Sequence, residues 1–456
     1  AREALRLSRL AIEWGIAYFG MPFPFAKHDL VLIPGFPFGG MEHAGATFLD
    51  EAAVAIGREP GEAARRRRLQ LVFHETLHQW LGDCVTMRAF DDLWLKEGFA
   101  NLGAALCAEA LEPASQPWLA LHRLKHAAVR QDGSAGAVAV RQPVAQPDDA
   151  KALYGPTVYG KAPAVLRQAR HFVGPAHFDE AVRALVRTHA YGNATLEDLG
   201  ESLSGTATRT MRAWLGEWLE RPGAPTVRVS IDADGDRIAA ARVAQHDESG
   251  AGRRWTQRLV AIAVNANGHT TTHDVLLQAD AAPLPEWHGA PLPLIAFANG
   301  GDHGYGRFLL DARSRDAALE RLAVVPDPLL RLQLVEALWE DVRDATVDPE
   351  RFVAFALEHL GHEREPGVAA ALVEHAGSAL RRYLDATRTG AMRAALDAAR
   401  KRLGFAPPAP HDPGLAQLLD LAGTADADAK AACFARLLRD AALPDRWVEA
   451  AAERFN

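Results

Sequence analysis

Residues 71–80 read LVFHETLHQW. His74 and His78 stand four positions apart in a segment, 62–81, that reads as a helix. On a helix such a pair lies on one face, one turn apart. Two neutral imidazole nitrogens can then meet one zinc ion at about 2.0–2.1 Å. Glu75 is offset by one position, so it can reach a metal-activated water without being a ligand, which is where a general base is needed. The bland alternative is two histidines on an unremarkable helix. With 18 histidines in 456 residues the pentapeptide alone does not dispose of it.

A third candidate ligand lies downstream. Eighteen residues separate His78 from Glu97, which sits in LWLKEGFANLGAAL (93–106). This stretch reads as a second helix after a break at Ala89-Phe90-Asp91-Asp92, whose acidic pair suits a helix N-terminus. Glu97 is expected to project toward the first helix, and Gly98 to let the two backbones approach. Two histidines and one glutamate leave one zinc position open, the catalytic rather than the structural arrangement. One Zn2+ per chain is therefore expected. Asn101, one turn later, is either a partner that orients a ligand or an ordinary solvated side chain.

Upstream, PFGGMEHAG (37–45) places Glu42 among small and apolar residues. Paired glycines let a backbone come close to something, and a carboxylate in such surroundings is costly unless it meets a positive partner. Glu42 either awaits a cationic ligand or is a buried structural acid paired with a local Lys or Arg.

Taken together, HETLH, the eighteen-residue gap and the Glu of WLKEGFA resemble the zinc aminopeptidases of the membrane-alanyl-aminopeptidase type, the gluzincin family that includes leukotriene A4 hydrolase. GGMEHAG is similar to that family's Gly-x-Met-Glu-Asn segment, LYGPTVYGKAP (153–163) to its Tyr-Glu-Lys-Gly segment, and WLERPGAPTV (218–227) to its Trp-then-Gly-x-Pro boundary. The resemblance implies an α+β, thermolysin-like catalytic domain. It implies that Gly39 to Glu42 form an edge strand along the cleft, to which a peptide pairs by strand addition. Glu42 would hold the free α-ammonium of the substrate, so that one residue is released at a time from peptides with a free N-terminus. Tyr159 matches the family's catalytic tyrosine, whose phenol would donate to the oxyanion. Tyr154 matches a second family tyrosine, and with Met41 it would line the pocket for the first residue. Either tyrosine is otherwise an amphipathic core residue. The chain departs from the family at His43 (usually Asn), at Lys96 (usually Asn) and at Tyr159-Gly160-Lys161-Ala162. His43 also gives a likeness to the glycyl aminopeptidases. The family's N-terminal β-domain of roughly two hundred residues has no counterpart in this sequence. The chain starts inside a helical pattern without an initiating Met, so a fragment or a processed product is expected.

The bulk numbers agree with a protein of several domains. At 456 residues the chain is too long for one ordinary core. Net charge is -8, which disfavours a nucleic-acid partner. The run Arg65-Arg66-Arg67-Arg68 is read as a solvated helix face. Three cysteines, Cys84, Cys107 and Cys433, give no disulfide framework and point to a reducing, cytoplasmic compartment. No run of about 18 apolar residues predicts a membrane span.

Three segments are expected. Residues 1–222 form the peptidase domain, with helices over 1–19, 62–81, 93–108, 116–131, 161–173, 176–189, 195–203 and 207–220. Arg221-Pro222-Gly223-Ala224-Pro225 ends the last of these. Alternating strands (TVRVSI, RRWTQRLVAIAV, TTTHDVLLQ, LPLIAFANG, YGRFLLD) make 223–313 a small β-sandwich. Within it DADGD (232–236) is a hairpin turn rather than a calcium loop, because Arg237 and Val243 stand where that loop needs Gly and Glu. Residues 314–456 read as amphipathic helices in a solenoid-like array. The rival readings are a non-catalytic helical scaffold, and a zinc enzyme of glycyl-aminopeptidase or epoxide-hydrolase type.

Overall fold

In a computed structural model of the chain, residues 2–57, 60–134, 136–144, 146, 153–204, 210–385 and 387–405 are described. The chain forms two units, Ala1–Leu396 and Asp397–Asn456. Cys433 and the expected helices beyond Phe405 lie outside the described residues.

Helix α1 (Arg2–Phe19) turns Ala4, Leu7, Ala11, Gly15 and Phe19 inward, at the three-to-four spacing of one helix face. A three-stranded sheet follows, β1 (Asp29–Ile33), β2 (Gly40–Met41) and β3 (Ala46–Asp50). Its order is β1-β3-β2, with β1 and β3 parallel and β2 antiparallel to β3. Strand β2 is therefore an edge: Gly40 faces Leu49 and Met41 faces Phe48 on one side, and among the described residues no strand pairs with its other side.

After α2 (Glu51–Val54) comes α3 (Glu62–Leu77), then β4 (Val85–Met87) and α4 (Leu93–Leu111). Helices α5 (Pro117–Asp132), α6 (Ala162–Val173) and α7 (Pro175–His189) follow. Strand β5 (Gly192–Ala194) pairs with β4, and α8 (Leu196–Ser204) and α9 (Met211–Leu219) complete the region. Helix α4 is buried on nearly every face because α3, α5 and α6 all pack on it. Gly98 does not serve the approach expected of it. A Cβ there would lie 3.0 Å from Leu166 and 3.2 Å from Ala162, both on α6. The α4 glycine that lies against α3 is Gly103, where a Cβ would fall 3.1 Å from Leu77. Trp80 sits fully buried beyond the end of α3, stacked on Phe19 at 5.4 Å, against Gly15 of α1. Burying a large apolar side chain is worth roughly 1.5–3 kcal/mol, and this contact holds the segment after α3 against α1.

The strands β6 (Thr226–Asp234), β7 (Arg237–His246), β8 (Gln257–Val264), β9 (Thr270–Leu277), β10 (Ala281–Pro283), β11 (Ile295–Phe297) and β12 (Arg307–Leu309) form two sheets, β10-β7-β6-β12 and β11-β8-β9. Val227, Val229 and Val243 of the first share a core with Leu259, Ala261 and Leu277 of the second. DADGD is the turn of the β6–β7 hairpin, with Asp234 opposite Arg237. Strand β7 is not among the expected strands: RIAAARVAQH carries only two β-branched residues, Ile238 and Val243, among four alanines, and its buried face includes the polar Gln245.

Helices α10 (Ala312–Arg321), α11 (Pro328–Arg343), α12 (Pro349–His359), α13 (Pro366–Arg382) and α14 (Gly390–Arg402) follow. A mixed α/β region is thus followed by a helical one. Asp302, buried and at φ 60°, ties these regions together. Its carboxylate bonds the Lys125 ammonium, lies 3.0 Å from His122 Nδ1, and accepts from Gln333 Nε2 at 3.1 Å. Arg66 is not merely solvated: its guanidinium donates to Glu365 at 2.5 Å, joining α3 to the start of α13. Among the described residues no helix is long and apolar enough to cross a membrane.

Candidate metal centre and active site

Helix α3 carries His74 and Glu75 on its last turn, and His78 is its C-cap residue. Gly82, at φ 147°, makes room for the second imidazole, since a Cβ there would lie 2.8 Å from His78 Nδ1. Each ring is held through Nδ1. His74 Nδ1 donates to Asn101 Oδ1 at 2.9 Å, and His78 Nδ1 donates to the Leu81 carbonyl at 3.0 Å. With both Nδ1 positions donating, each ring in its neutral form, the form a metal requires, presents a lone pair on Nε2.

Those lone pairs converge. The two Nε2 atoms are 3.0 Å apart, and each is 3.4 Å from Glu97 Oε2. Three electron-rich atoms this close repel unless a cation sits among them. A tetrahedral ion with ligands at 2.0–2.1 Å has ligand-to-ligand edges of about 3.3 Å, so His74, His78 and Glu97 fit zinc. Glu42, Glu75 and His78 also bring ligand atoms within 4.8 Å of one another. That second set is poorer, because the His78 atom near Glu42 is Nδ1, already bonded to Leu81.

Glu75 is buried, and its Oε2 has no hydrogen-bond partner among the described residues. Burial pushes its carboxyl up to about 8, against the pull of His74 and with a further push from Glu42 and Glu97. A divalent ion in the neighbouring cradle would bring it back down. Gly40 of the edge strand lies directly over this carboxyl: a Cβ there would fall 2.4 Å from Glu75 Cδ. The strand therefore runs past the candidate base at contact distance.

Glu42 is buried as well, and it is paired. Its Oε1 bonds the Lys96 ammonium and lies 4.0 Å from His78 Nδ1. Burial would raise its carboxyl, but His78 and Lys96 outweigh that and hold it at about 2. The local lysine that sequence reasoning kept as the bland alternative is thus present. Lys96 also donates to Glu97 Oε1 at 2.7 Å. Burial disfavours its charge, yet Glu97 and Glu42 together push the ammonium above its usual range.

Tyr159 lies on a π-helical turn, Thr157–Lys161, a wide turn that often marks functional sites. Its ring is 6.3 Å from His74 and 6.2 Å from Tyr154, and Tyr154 is exposed at the cleft. Asn101 Nδ2 donates to the Tyr159 carbonyl at 3.0 Å, so one side chain links the metal helix to this turn. Gly160 explains one departure from the family motif, since a Cβ there would fall 2.2 Å from the Leu124 carbonyl oxygen. Lys161 is fully buried and donates to Asp132 at 2.7 Å and to the Gly223 carbonyl at 2.9 Å.

The structure brings Glu42, Glu75, His74, His78, Glu97 and Tyr159 into one cluster, with Gly39, Gly40, Met41 and Tyr154 along it. Sequence reasoning missed Gln79. Its amide oxygen accepts from Gly45 N at 2.8 Å, and its nitrogen donates to the Glu42 carbonyl at 3.0 Å and to Asp83 at 2.7 Å. It anchors the Glu42 loop to the metal helix. A Gln in the turn after HETLH was the available signal. The ion pairing of Lys96 had none, because its partner lies 54 positions away.

Residues 3–218 match the peptidase family M1 domain, and residues 296–446 match the ERAP1-like C-terminal domain. The chain is similar to aminopeptidase N of Streptomyces lividans, 28% identical over 409 residues that cover 86% of this chain and 47% of the relative. It is also similar to leucyl aminopeptidase of Saccharolobus solfataricus, 30% identical over 52% of this chain and 30% of the relative. Aminopeptidase M1-A of Oryza sativa is 30% identical over 47% of this chain and 24% of its own length. The chain thus spans less than half the length of these relatives.

Proposed function

Because the chain belongs to peptidase family M1, we propose that it is a zinc-dependent aminopeptidase that removes N-terminal residues from peptides. The observation that carries this reading is the convergence of His74 Nε2, His78 Nε2 and Glu97 Oε2, at 3.0 and 3.4 Å, beside the buried carboxyls of Glu75 and Glu42. In the finer architecture, 1–222 is a thermolysin-like peptidase domain, 223–313 a β-sandwich and 314–456 a solenoid-like helical domain.

His74, His78 and Glu97 would hold the metal. A zinc ion bound there would supply a Lewis acid for the scissile carbonyl and would lower the pKa of water toward ~7. The peptide lies along β2, whose outer backbone groups pair with it. Glu42 holds its α-ammonium, which an internal peptide bond lacks, so the cut falls after the first residue. Glu75 takes a proton from the attacking water and delivers it to the leaving amine. Tyr159 donates its phenolic proton in a hydrogen bond to the oxyanion. Met41 and Tyr154 border the first side chain.

The test pairs leucine p-nitroanilide with its N-acetyl derivative, with and without a zinc chelator. The reading expects cleavage of the free-amine substrate only, loss on chelation with recovery on zinc, and a roughly 10²–10⁴-fold fall in Glu75→Gln. Cleavage of the blocked substrate at equal rate, or a Glu75→Gln protein as active as the parent, would refute it.

A further inference from the structure

Glu42 meets a cation before any substrate arrives. The Lys96 ammonium bonds Glu42 Oε1 and donates to Glu97 Oε1 at 2.7 Å, and the side chains of both Lys96 and Glu42 are only 11% exposed. Among the described residues, Lys96 is the one Lys or Arg whose nitrogen lies within 4 Å of Glu42. Lys96 occupies Glu42 at Oε1, and an ionised carboxylate offers two oxygens with about four lone-pair sites, so Glu42 can still accept from a second ammonium. That second cation would then sit a few ångströms from the first, in a partly buried setting where like charges repel strongly.

We propose that Lys96 is a specificity-determining residue, a resident cation on Glu42 that weakens the hold on the substrate's α-ammonium. This rests on the aminopeptidase reading above. The α-ammonium does not change charge as the peptide bond breaks. Its contact with Glu42 is therefore uniform between ground and transition states, and such a contact sets KM without setting kcat. A lysine at position 96 raises KM for every free-amine ligand alike. It also speeds departure of the released amino acid, which carries the same ammonium. A ligand with a blocked amine does not feel it. In this site the preference for an N-terminus is thus a compromise between Glu42, which attracts, and Lys96, which limits the attraction.

The experiment is calorimetric binding of leucinamide and N-acetyl-leucinamide to the zinc-loaded and the metal-free protein, for wild type, Lys96→Met, Lys96→Gln and Lys96→Arg. Steady-state KM and kcat on leucine p-nitroanilide accompany it. The proposal expects Lys96→Met and Lys96→Gln to bind leucinamide at least tenfold more tightly, with and without zinc. Affinity for N-acetyl-leucinamide should stay within twofold, and Lys96→Arg should match wild type. KM should fall in the two neutral variants with no rise in kcat. Unchanged or weaker leucinamide binding in both neutral variants would overturn it, and would make Lys96 a strut for Glu42 instead. If wild type itself fails to distinguish leucinamide from its acetylated form, the aminopeptidase reading fails and this inference with it. If wild type distinguishes them and the neutral variants do not differ from it, only this inference fails. A melting curve for each variant separates a folding loss from a binding change, and Lys96→Gln serves if Lys96→Met is unfolded.

Discussion

Asn101 bridges the two halves of the site, and replacing it should damage them separably. Its Oδ1 accepts from His74 Nδ1 at 2.9 Å and its Nδ2 donates to the Tyr159 carbonyl at 3.0 Å. In Asn101→Leu, a change of similar volume, both bonds are lost. Each is worth about 1 kcal/mol net. Freed from its acceptor, His74 no longer presents Nε2 in a fixed tautomer and orientation, and the loss of such a partner typically costs 10–100-fold in metal affinity. That is about 1.4–2.8 kcal/mol at 1.4 kcal/mol per decade. The Tyr159 turn loses its tie to α4, so kcat should fall as well. Asn101→Asp separates the two effects. Its carboxylate still accepts from His74, so zinc affinity should equal or exceed wild type. It has no donor for the Tyr159 carbonyl, so kcat should fall nearly as far as in Asn101→Leu. The assays are zinc competition against a fluorescent chelator, and kcat on leucine p-nitroanilide. If Asn101→Leu keeps zinc affinity within twofold of wild type, the claim that this amide positions His74 is wrong. Full kcat in Asn101→Asp would break the claim for Tyr159.

Two more perturbations follow from other contacts. Gln79→Leu removes the hydrogen bonds to Gly45, Glu42 and Asp83 and strands the Gly45 N–H and the Glu42 carbonyl, so it should destabilise the protein by roughly 2–4 kcal/mol and raise KM for free-amine substrates. A denaturant titration with steady-state kinetics checks both, and a variant with normal KM would show that the Glu42 loop needs no such anchor. His126 of α5 lies 3.0 Å from Glu336 and 3.5 Å from Glu340, both on α11, and Arg307, Arg343 and His375 face the same carboxylates. Burial opposes its charge, but Glu336 and Glu340 push it from 6.5 up to about 9. A raised pKa stabilises the fold fully below pH 6.5 and is lost as pH climbs through 9. About 3 kcal/mol should disappear across that window at 1.36 kcal/mol per pKa unit. Thermal melts from pH 6 to 10 should show it in wild type, with a flatter profile in His126→Gln. Equal profiles would refute the assignment.

The local arithmetic of the chain was enough to find the helix that carries the candidate ligands. His74 and His78 are one turn apart wherever a helix forms, and Glu75 follows between them without further information. Helix ends were legible where Gly, Pro or Asp marks them. At other points the reading failed for physical reasons. Strand β7 holds four alanines and only two β-branched residues, and Ala carries little β signal. Gly98 fits against α6 rather than α3, because a glycine records that something comes close and not what comes close.

The sequence alone thus determined the candidate ligand types, their spacing along α3 and α4, and a region of strands followed by a helical one, since these depend on neighbours within a few turns. Tertiary structure decided the rest: that Lys96 reaches Glu42 across 54 positions, that Asn101 reaches Tyr159 across 58, and that Gln79 holds the Glu42 loop. Those contacts join segments whose separation in sequence is arbitrary. They are fixed by which faces of α3, α4 and the edge strand pack together, and no periodicity in the chain encodes that.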